Sequence, residues 1–499
     1  MSSHESLEPL SATEPYDVCV IGSGPAGTTL ATTLAEQGVR TLMLESGRTF
    51  GSWLFDKRLK KLARYDYTGD TNYPEVRTTT RVLGGNSNFW TGRSERLHPS
   101  DFAPHPYTPP ENPWPIRYED LEPYYDVAEK LFRVRGGPRG ESTPPRRGPL
   151  PLPGRPDVTY LKNLTARFGV DCEDSATSTP SKQMRIFNVR KEILPRFLSS
   201  GHGTLVTGAT VTRLIAGADQ RIVGAQVRTL DGRSAEARAK IFVVCCGGIE
   251  SPRLLLLSRS EAYPNGVGNA YDWVGRGFND HPTLGFYASI PHSPGTLTPT
   301  NKITRTHQLY GLFRPEGLGA MIPVFRQAWL LPNHILPFTL VNMPRNALSM
   351  LSRVKRAAIF IGAGIEMKPV PGNRVTLSSV NQDIWGQPIA HLILNFSPED
   401  RALIERTRAL IREWFAVIGA TGVREAPVAY PRHFQGACRM GANPATSVVD
   451  ANLRVHDTKN LYVCGCEVFS TGGGMGPTLS IATFALRLAD HLIEQLRST

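Results

Sequence analysis

The chain has 499 residues, 40% hydrophobic and 20% charged, with a formal net charge of +12. This is ordinary globular composition with room for roughly two or three domains, and it excludes disordered, collagenous and disulfide-stapled architectures. The seven cysteines lack any CxxC pair, and the basic residues are dispersed along the chain. A metal site and nucleic-acid binding are therefore not expected, and the positive charge reads as solubility or attraction for anionic ligands.

The N-terminal stretch MSSHESLEPLSATEPY is polar and has no signal-like apolar region. No apolar run approaches a spanning helix, so the expectation is a soluble, cytoplasmic protein in a reducing compartment.

The first elements read as strand, turn, helix, strand. Tyr16 to Ile21 is a near-continuous apolar run, as in a buried parallel strand, and Gly22-Ser23-Gly24-Pro25-Ala26-Gly27 follows at once. The spacing of Ala26, Leu30 and Leu34 predicts a helix stopped at Gly38. Arg40 to Leu44 predicts the second strand, closed by Glu45. In such a unit Gly22 permits the tight turn, Gly24 lets the backbone approach a pyrophosphate, and Gly27 lets helix and strand pack closely. The helix N-terminus offers N–H groups to that anion, and Glu45 stands where a carboxylate accepts from ribose hydroxyls. A dinucleotide site is predicted here.

Further along, Arg81 to Trp90 holds the pair Gly84-Gly85, which alone reads as a loop. A Pro-rich stretch at 104–115 excludes regular structure, and another at 136–156 suggests a boundary or an ordered surface excursion. From Gly203 to Cys246 short β-rich runs alternate with turns, and Asp231-Gly232 marks a hairpin. Residues 281–425 mix strands with one clear helix, Ser397 to Ile418.

Within that region Gln327 to Val341 is apolar and is followed by Arg345, Arg353, Lys355 and Arg356. It reads as core with a solvated edge, or as an access channel for a bulky, apolar substrate. Pro332, Asn333, His334 and Pro337 interrupt an amphipathic helix, so membrane contact is not expected. Glu366 closes the strand-like run Ala358 to Ile365 as a surface carboxylate or as a buried acid that orients His433. A last helix is predicted from about Thr478 to Leu496, with Ala482, Ala485, Leu488, Leu492 and Leu496 on one stripe.

Several motifs in order resemble the glucose–methanol–choline (GMC) family of flavin oxidoreductases. They are the glycine-rich turn, Arg81 to Trp90, Val244 to Arg253, Val274-Gly275-Arg276 with Asp280-His281-Pro282, and Asn373 to Ser378. His433-Phe434-Gln435-Gly436-Ala437-Cys438-Arg439-Met440-Gly441 and Gly476-Pro477-Thr478-Leu479 complete the set. The resemblance covers most of the chain. It implies an α/β (α+β overall) architecture with a discontinuous Rossmann-like FAD-binding domain and a sheet-and-helix substrate-binding domain. The FAD-binding parts fall at 1–150, 201–280 and 426–499, with a connecting excursion at 151–200 and the substrate domain at 281–425.

The resemblance implies an FAD site formed by Gly22, Gly24, Pro25, Ala26, Gly27, Glu45 and Ser46. Arg81, Gly84, Gly85, Asn86, Asn88, Phe89 and Trp90 join it from the second segment. Val211, Cys246, Gly247, Cys466, Gly476, Pro477 and Thr478 complete it. Some relatives bind FAD covalently through a histidine before the tryptophan. Phe89 holds that place here, so the FAD is expected to be non-covalent.

The family's reaction is oxidation of an alcohol or sugar hydroxyl, with hydride passing to flavin N5. His433 matches the base that takes the hydroxyl proton, and an imidazole suits that task near neutral pH. The family's second catalytic residue, His or Asn, is Gly476 here, with His281 or Glu366 as substitutes or His433 acting alone. The N-terminus of the helix after Pro477 can still stabilise negative charge on a reduced flavin. Three functions stay open: an alcohol or sugar-hydroxyl oxidoreductase, a flavoenzyme performing desaturation, lyase chemistry or another oxidation, and a non-catalytic FAD protein. The expected partners are a small-molecule substrate and an electron acceptor that is oxygen, a quinone or a redox protein.

Overall fold

The computed structural model describes residues 7–11, 14–70, 79–138, 140–154, 159–179, 186–291, 303–328 and 356–498. The apolar segment singled out above lies outside them from Trp329 to Lys355.

A five-stranded parallel sheet is built from widely separated pieces of chain. Its order is Leu461–Val463, Ala239–Val244, Tyr16–Ile21, Thr41–Glu45 and Gly203–Thr207. Val18, Cys19 and Val20 are fully buried at its centre, which accounts for an apolar run without alternation. The helix Pro25–Glu36 packs against one face, and Gly38, at φ +84°, ends the helical run as predicted. The last helix, Thr478–Arg497, lies beside Pro25–Glu36 and Glu122–Leu131, and it buries Ala482, Ala485, Leu488 and Leu492. Pro477 stands at its N-cap, just outside the first turn.

An antiparallel three-stranded meander, Thr210–Ala216, Ile222–Arg228 and Ser234–Ala237, flanks this sheet. The predicted hairpin turn falls between its last two strands, where Gly232 has φ +90°.

A second large sheet has six antiparallel strands, in the order Thr421–Glu425, Thr283–Pro291, Arg356–Ile365, Met321–Ala328, Ile303–Arg305 and Glu173–Asp174. The helix Pro398–Val417 covers it, and Leu403, Ile411, Trp414 and Phe415 join Phe286, Phe325 and Ile361 in one core. Ser397 starts that helix with a capping box, accepting from the Asp400 N–H while the Asp400 carboxylate accepts from the Ser397 N–H. Such a cap contributes about 1 kcal/mol. A smaller sheet joins Tyr65–Thr68, from early in the chain, to Pro388–Ile393 and Arg374–Gln382.

Candidate active site

The N-terminal turn assigns three jobs to its three glycines. Gly22 has φ +107°, and a Cβ there would stand 2.5 Å from the Cys245 carbonyl oxygen. A Cβ on Gly27 would lie 1.9 Å from the Gly22 carbonyl oxygen, so that position must be bare for the helix to approach the strand. Gly24 has nothing within 4 Å in that direction and faces open space.

Glu45 is buried beneath the turn. Its carboxylate accepts from the Ser23 N–H at 3.0 Å, the Ser23 hydroxyl at 2.6 Å and the Gly47 N–H at 2.6 Å. Burial pushes its pKa up, and the Ser23 and Gly47 hydrogen bonds hold it back. The second glycine segment docks on the same turn. The Gly84 N–H donates to the Ser23 hydroxyl at 3.0 Å, and a Cβ on Gly85 would come within 2.9 Å of the Gly24 Cα.

A cleft of about 720 Å³ runs from this turn past Ser46, Arg81, Trp90 and Val211 to His433, His281 and Gly476. Two helices aim their N-termini at it, Gly247–Leu257 through Cys246 and Gly247, and Thr478–Arg497 through Pro477 and Thr478.

The far end is assembled by pairing two distant stretches of chain. Asn279 and Gln435 exchange backbone hydrogen bonds at 3.1 and 3.0 Å. One carboxylate oxygen of Asp280 then accepts from the N–H groups of both His281, at 2.7 Å, and His433, at 2.8 Å. Gly436 permits the close approach, since a Cβ there would meet the Gly277 carbonyl oxygen at 2.3 Å. The two imidazoles meet Nδ1 to Nδ1 at 2.9 Å, and the Gln435 side-chain amide lies 3.0 Å from His281 Nε2.

Burial pulls the His281 pKa down to about 4 and that of His433 well below its ordinary value, so both rings are neutral at pH 7. An ideal Cβ on Gly476 would stand 3.8 Å from His433 Cε1.

The GMC oxidoreductase family model matches residues 79–283 with its N-terminal part and 369–485 with its C-terminal part, and an FAD-binding domain model matches 15–51. The paromamine 6'-oxidase of Streptomyces fradiae is 30% identical over 97% of this chain and 92% of that one. The chain belongs to the GMC oxidoreductase family. The fructose dehydrogenase large subunit of Gluconobacter japonicus is 26% identical, covering 99% of each chain. Among solved structures, pyridoxine 4-oxidase from Mesorbium loti shares the fold with a TM-score of 0.63 at 19% identity, over 96% of this chain and 99% of that one.

This GMC oxidoreductase is thus an FAD-dependent enzyme with a parallel-sheet nucleotide fold. No helix among the described residues is long and apolar enough to cross a membrane. The residues present fit FAD: the Gly24 face is open, the glycine turn is braced by a buried carboxylate, and the cleft continues to a histidine pair.

Most of the residues expected at the cofactor line that cleft, among them Pro25, Ala26, Asn86, Phe89 and Cys466. Gly27, Gly84 and Asn88 sit one layer behind. Asn88 donates to the Leu83 and Gly85 carbonyls and so fixes the glycine pair. Arg81 reaches the Ser46 hydroxyl at 3.0 Å and pairs with Glu250 at 2.7 Å.

Glu366 departs from its expected place. It is buried, but it accepts from the Ala320 N–H at 2.8 Å, stands 3.8 Å from His105 Nε2 and does not line the cleft. The ring nitrogen of His433 where an orienting acid was expected is met by His281 instead. Strand geometry explains this, because Glu366 follows the last paired residue of Arg356–Ile365 and its N–H is fixed to the Ala320 carbonyl.

Sequence reasoning passed over Asp280 as a brace, although it stands beside His281 in a motif already noted. It also missed Gln435 and Glu467. Glu467 is fully buried, accepts from the Ser251 hydroxyl at 2.6 Å, and is pushed by burial up to about 7. Its signal was an acid inside the otherwise apolar run Leu461 to Phe469.

Proposed function

We propose that this enzyme oxidises an alcohol or sugar hydroxyl, with His433 as the group that takes the hydroxyl proton. The observation that carries this reading is the 2.9 Å contact between His281 Nδ1 and His433 Nδ1 at the cleft's end. When bound there, FAD supplies the acceptor for the hydride that leaves the substrate carbon. Every other task falls to the chain.

The hydrogen-bond pattern can leave a basic nitrogen free. Hydrogen bonds to backbone Gly472 and Gly473 favour a proton on His281, which suits Nε2–H, with the Gln435 amide oxygen turned to accept as well. His281 Nδ1 then accepts from His433 Nδ1–H, and His433 Nε2 keeps its lone pair for the substrate hydroxyl. His281 is on this reading a positioning residue and not a replacement for the missing side chain at 476. Glycine there leaves room beside His433, which suits a bulky substrate.

The reading assigns FAD binding to 1–150, 201–280 and 426–499 and substrate binding to 281–425, with 151–200 as the connecting excursion. The names of the two relatives, one an oxidase and one a dehydrogenase, leave the electron acceptor open. The test is an anaerobic titration of the holoenzyme with alcohols and sugars, followed by turnover with oxygen and with an artificial dye. Bleaching of the flavin band by a hydroxyl compound is the expected result. A product formed without flavin reduction would instead favour lyase chemistry.

A further inference from the structure

We propose that Arg93 and Arg305 form an anion-binding subsite beside His433, so that the hydroxyl compound this enzyme oxidises carries a carboxylate or phosphate group. The inference rests on the reading of the cleft given above and deepens it.

Both guanidinium-bearing residues line the same cleft as His281 and His433. Arg93 lies just past the glycine pair, where its backbone bridges Thr177. Arg305 ends the strand Ile303–Arg305, held between Met321–Ala328 and Glu173–Asp174.

The cations there outnumber the acids free to pair with them. Arg305 is matched by buried Glu95, Nη1 to Oε1 at 3.2 Å. Of the two acids on that edge, Glu173 is taken up by His307, and Asp174 is not free either. Arg93 forms no ion pair with a described acid, and its Nε and that of Arg305 are buried without a hydrogen bond to a described residue. Two of the segments that join strands of this sheet, 292–302 and 329–355, contain Lys302, Arg345, Arg353 and Lys355 but no Asp or Glu. Neither can supply a counter-charge.

Burial, and then the charges of Arg305 and Arg326, hold Arg93 down at about 9 against the pull of Glu95, the acid it shares with Arg305. A buried cation in that state is stabilised by an anion brought to it. A guanidinium fork matches the two oxygens of a carboxylate or phosphate. A ligand anchored in this way would present its hydroxyl carbon to the histidine end of the cleft, which is what positioning for hydride transfer requires.

The test uses the holoenzyme and matched pairs: benzyl alcohol against 4-(hydroxymethyl)benzoate, and ribitol against ribonate and ribitol 5-phosphate. The expected result is a kcat/KM at least tenfold higher for a charged member, carried mainly by KM. That preference should vanish in Arg93→Gln and return in part in Arg93→Lys. The carboxylate and phosphate arms show which anion is read.

Titration with benzoate, which carries no hydroxyl to oxidise, should perturb the oxidised flavin spectrum of the wild type and not of Arg93→Gln. Equal rates for charged and neutral members overturn the proposal. An equal fall for both in Arg93→Gln also overturns it and assigns Arg93 to the flavin. If that variant retains no FAD, the wild-type charge preference and benzoate titration decide. Benzoate binding without oxidation of any alcohol keeps the subsite and sinks the hydroxyl-oxidation reading, and alcohol oxidation without charge preference does the reverse.

Discussion

His281 and His433 face each other Nδ1 to Nδ1 at 2.9 Å, although 152 positions separate them in the chain. A neutral imidazole has one donor and one acceptor nitrogen, so this contact couples the tautomers of the two rings. His433→Ala should keep bound FAD and lose on the order of 10²-fold or more in flavin reduction, the range for a general base. His281→Phe should lose less, roughly tenfold, because the base remains but its proton is no longer fixed on Nδ1. Rapid-reaction reduction kinetics on both variants check this, and a wild-type rate in His433→Ala removes that residue from the chemistry.

The acid limb of kcat/KM follows from the same pair. Burial lowers both histidines, so the proton-accepting form of His433 persists below the usual imidazole range. Activity should therefore hold on acidification through pH 6.5 and fall only below it. A limb at or above 6.5 would mean that the titrating group is another one.

Gly476 is a bare position that tolerates a side chain. Its φ lies outside the left-handed region, and its ideal Cβ meets only His433 Cε1, at 3.8 Å. Gly476→Asn should fold, retain FAD and supply a second hydrogen-bonding group to a substrate oxygen. Turnover of small alcohols is expected to rise by about an order of magnitude while that of bulky ones drops, the reach of one well-placed polar group. If rates with every alcohol stay unchanged, the missing side chain does not limit the reaction.

Glu467 links stability to pH. Its carboxyl is raised by burial from 4.5 to about 7, so between those values the folded state binds more protons than the unfolded one. The stabilisation is fully present below pH 4.5 and is lost as pH rises through 7. Glu467→Gln removes the titration, so its melting temperature relative to wild type should climb between pH 5 and pH 8. The full shift is worth about 3 kcal/mol. A pH-independent difference between the two proteins would show that Glu467 is not the group responsible.

Two glycine substitutions separate cofactor binding from folding. Gly24→Val places a side chain into open space in the cleft, and the expected product is folded protein without flavin. Gly27→Ala drives a methyl into the Gly22 carbonyl and should lower thermal stability even before FAD is added. Denaturing the wild type should release all of its FAD into the supernatant, because Phe89 offers no atom for covalent attachment; flavin remaining on the precipitated chain contradicts this.

The nucleotide half was largely legible because its signals are local. The turn, the helix starting at Pro25 and the strand ending at Glu45 lie within a stretch where periodicity and glycine spacing report directly on backbone geometry. The helix after Ser397 was legible in the same local way, although its capping box was not noted. The catalytic end was legible only as a set of candidates. Whether His433 meets Glu366 or His281 depends on the bridge between Asn279 and Gln435, which no local pattern encodes. Arg93 and Arg305 were likewise invisible as a pair, since each reads alone as an ordinary surface cation.

The parallel sheet draws its strands from the start, the middle and the end of the chain, with Leu461–Val463 on one edge. During synthesis the glycine turn emerges well before the edge strand and the helix that faces the cleft. The edge at Ala239–Val244 therefore stays unpaired in the nascent chain until Leu461–Val463 has been made, exposed to mispairing with other chains. FAD cannot meet its complete site until the helix Thr478–Arg497 has been made, so cofactor supplied before that point should do little for the yield of native enzyme.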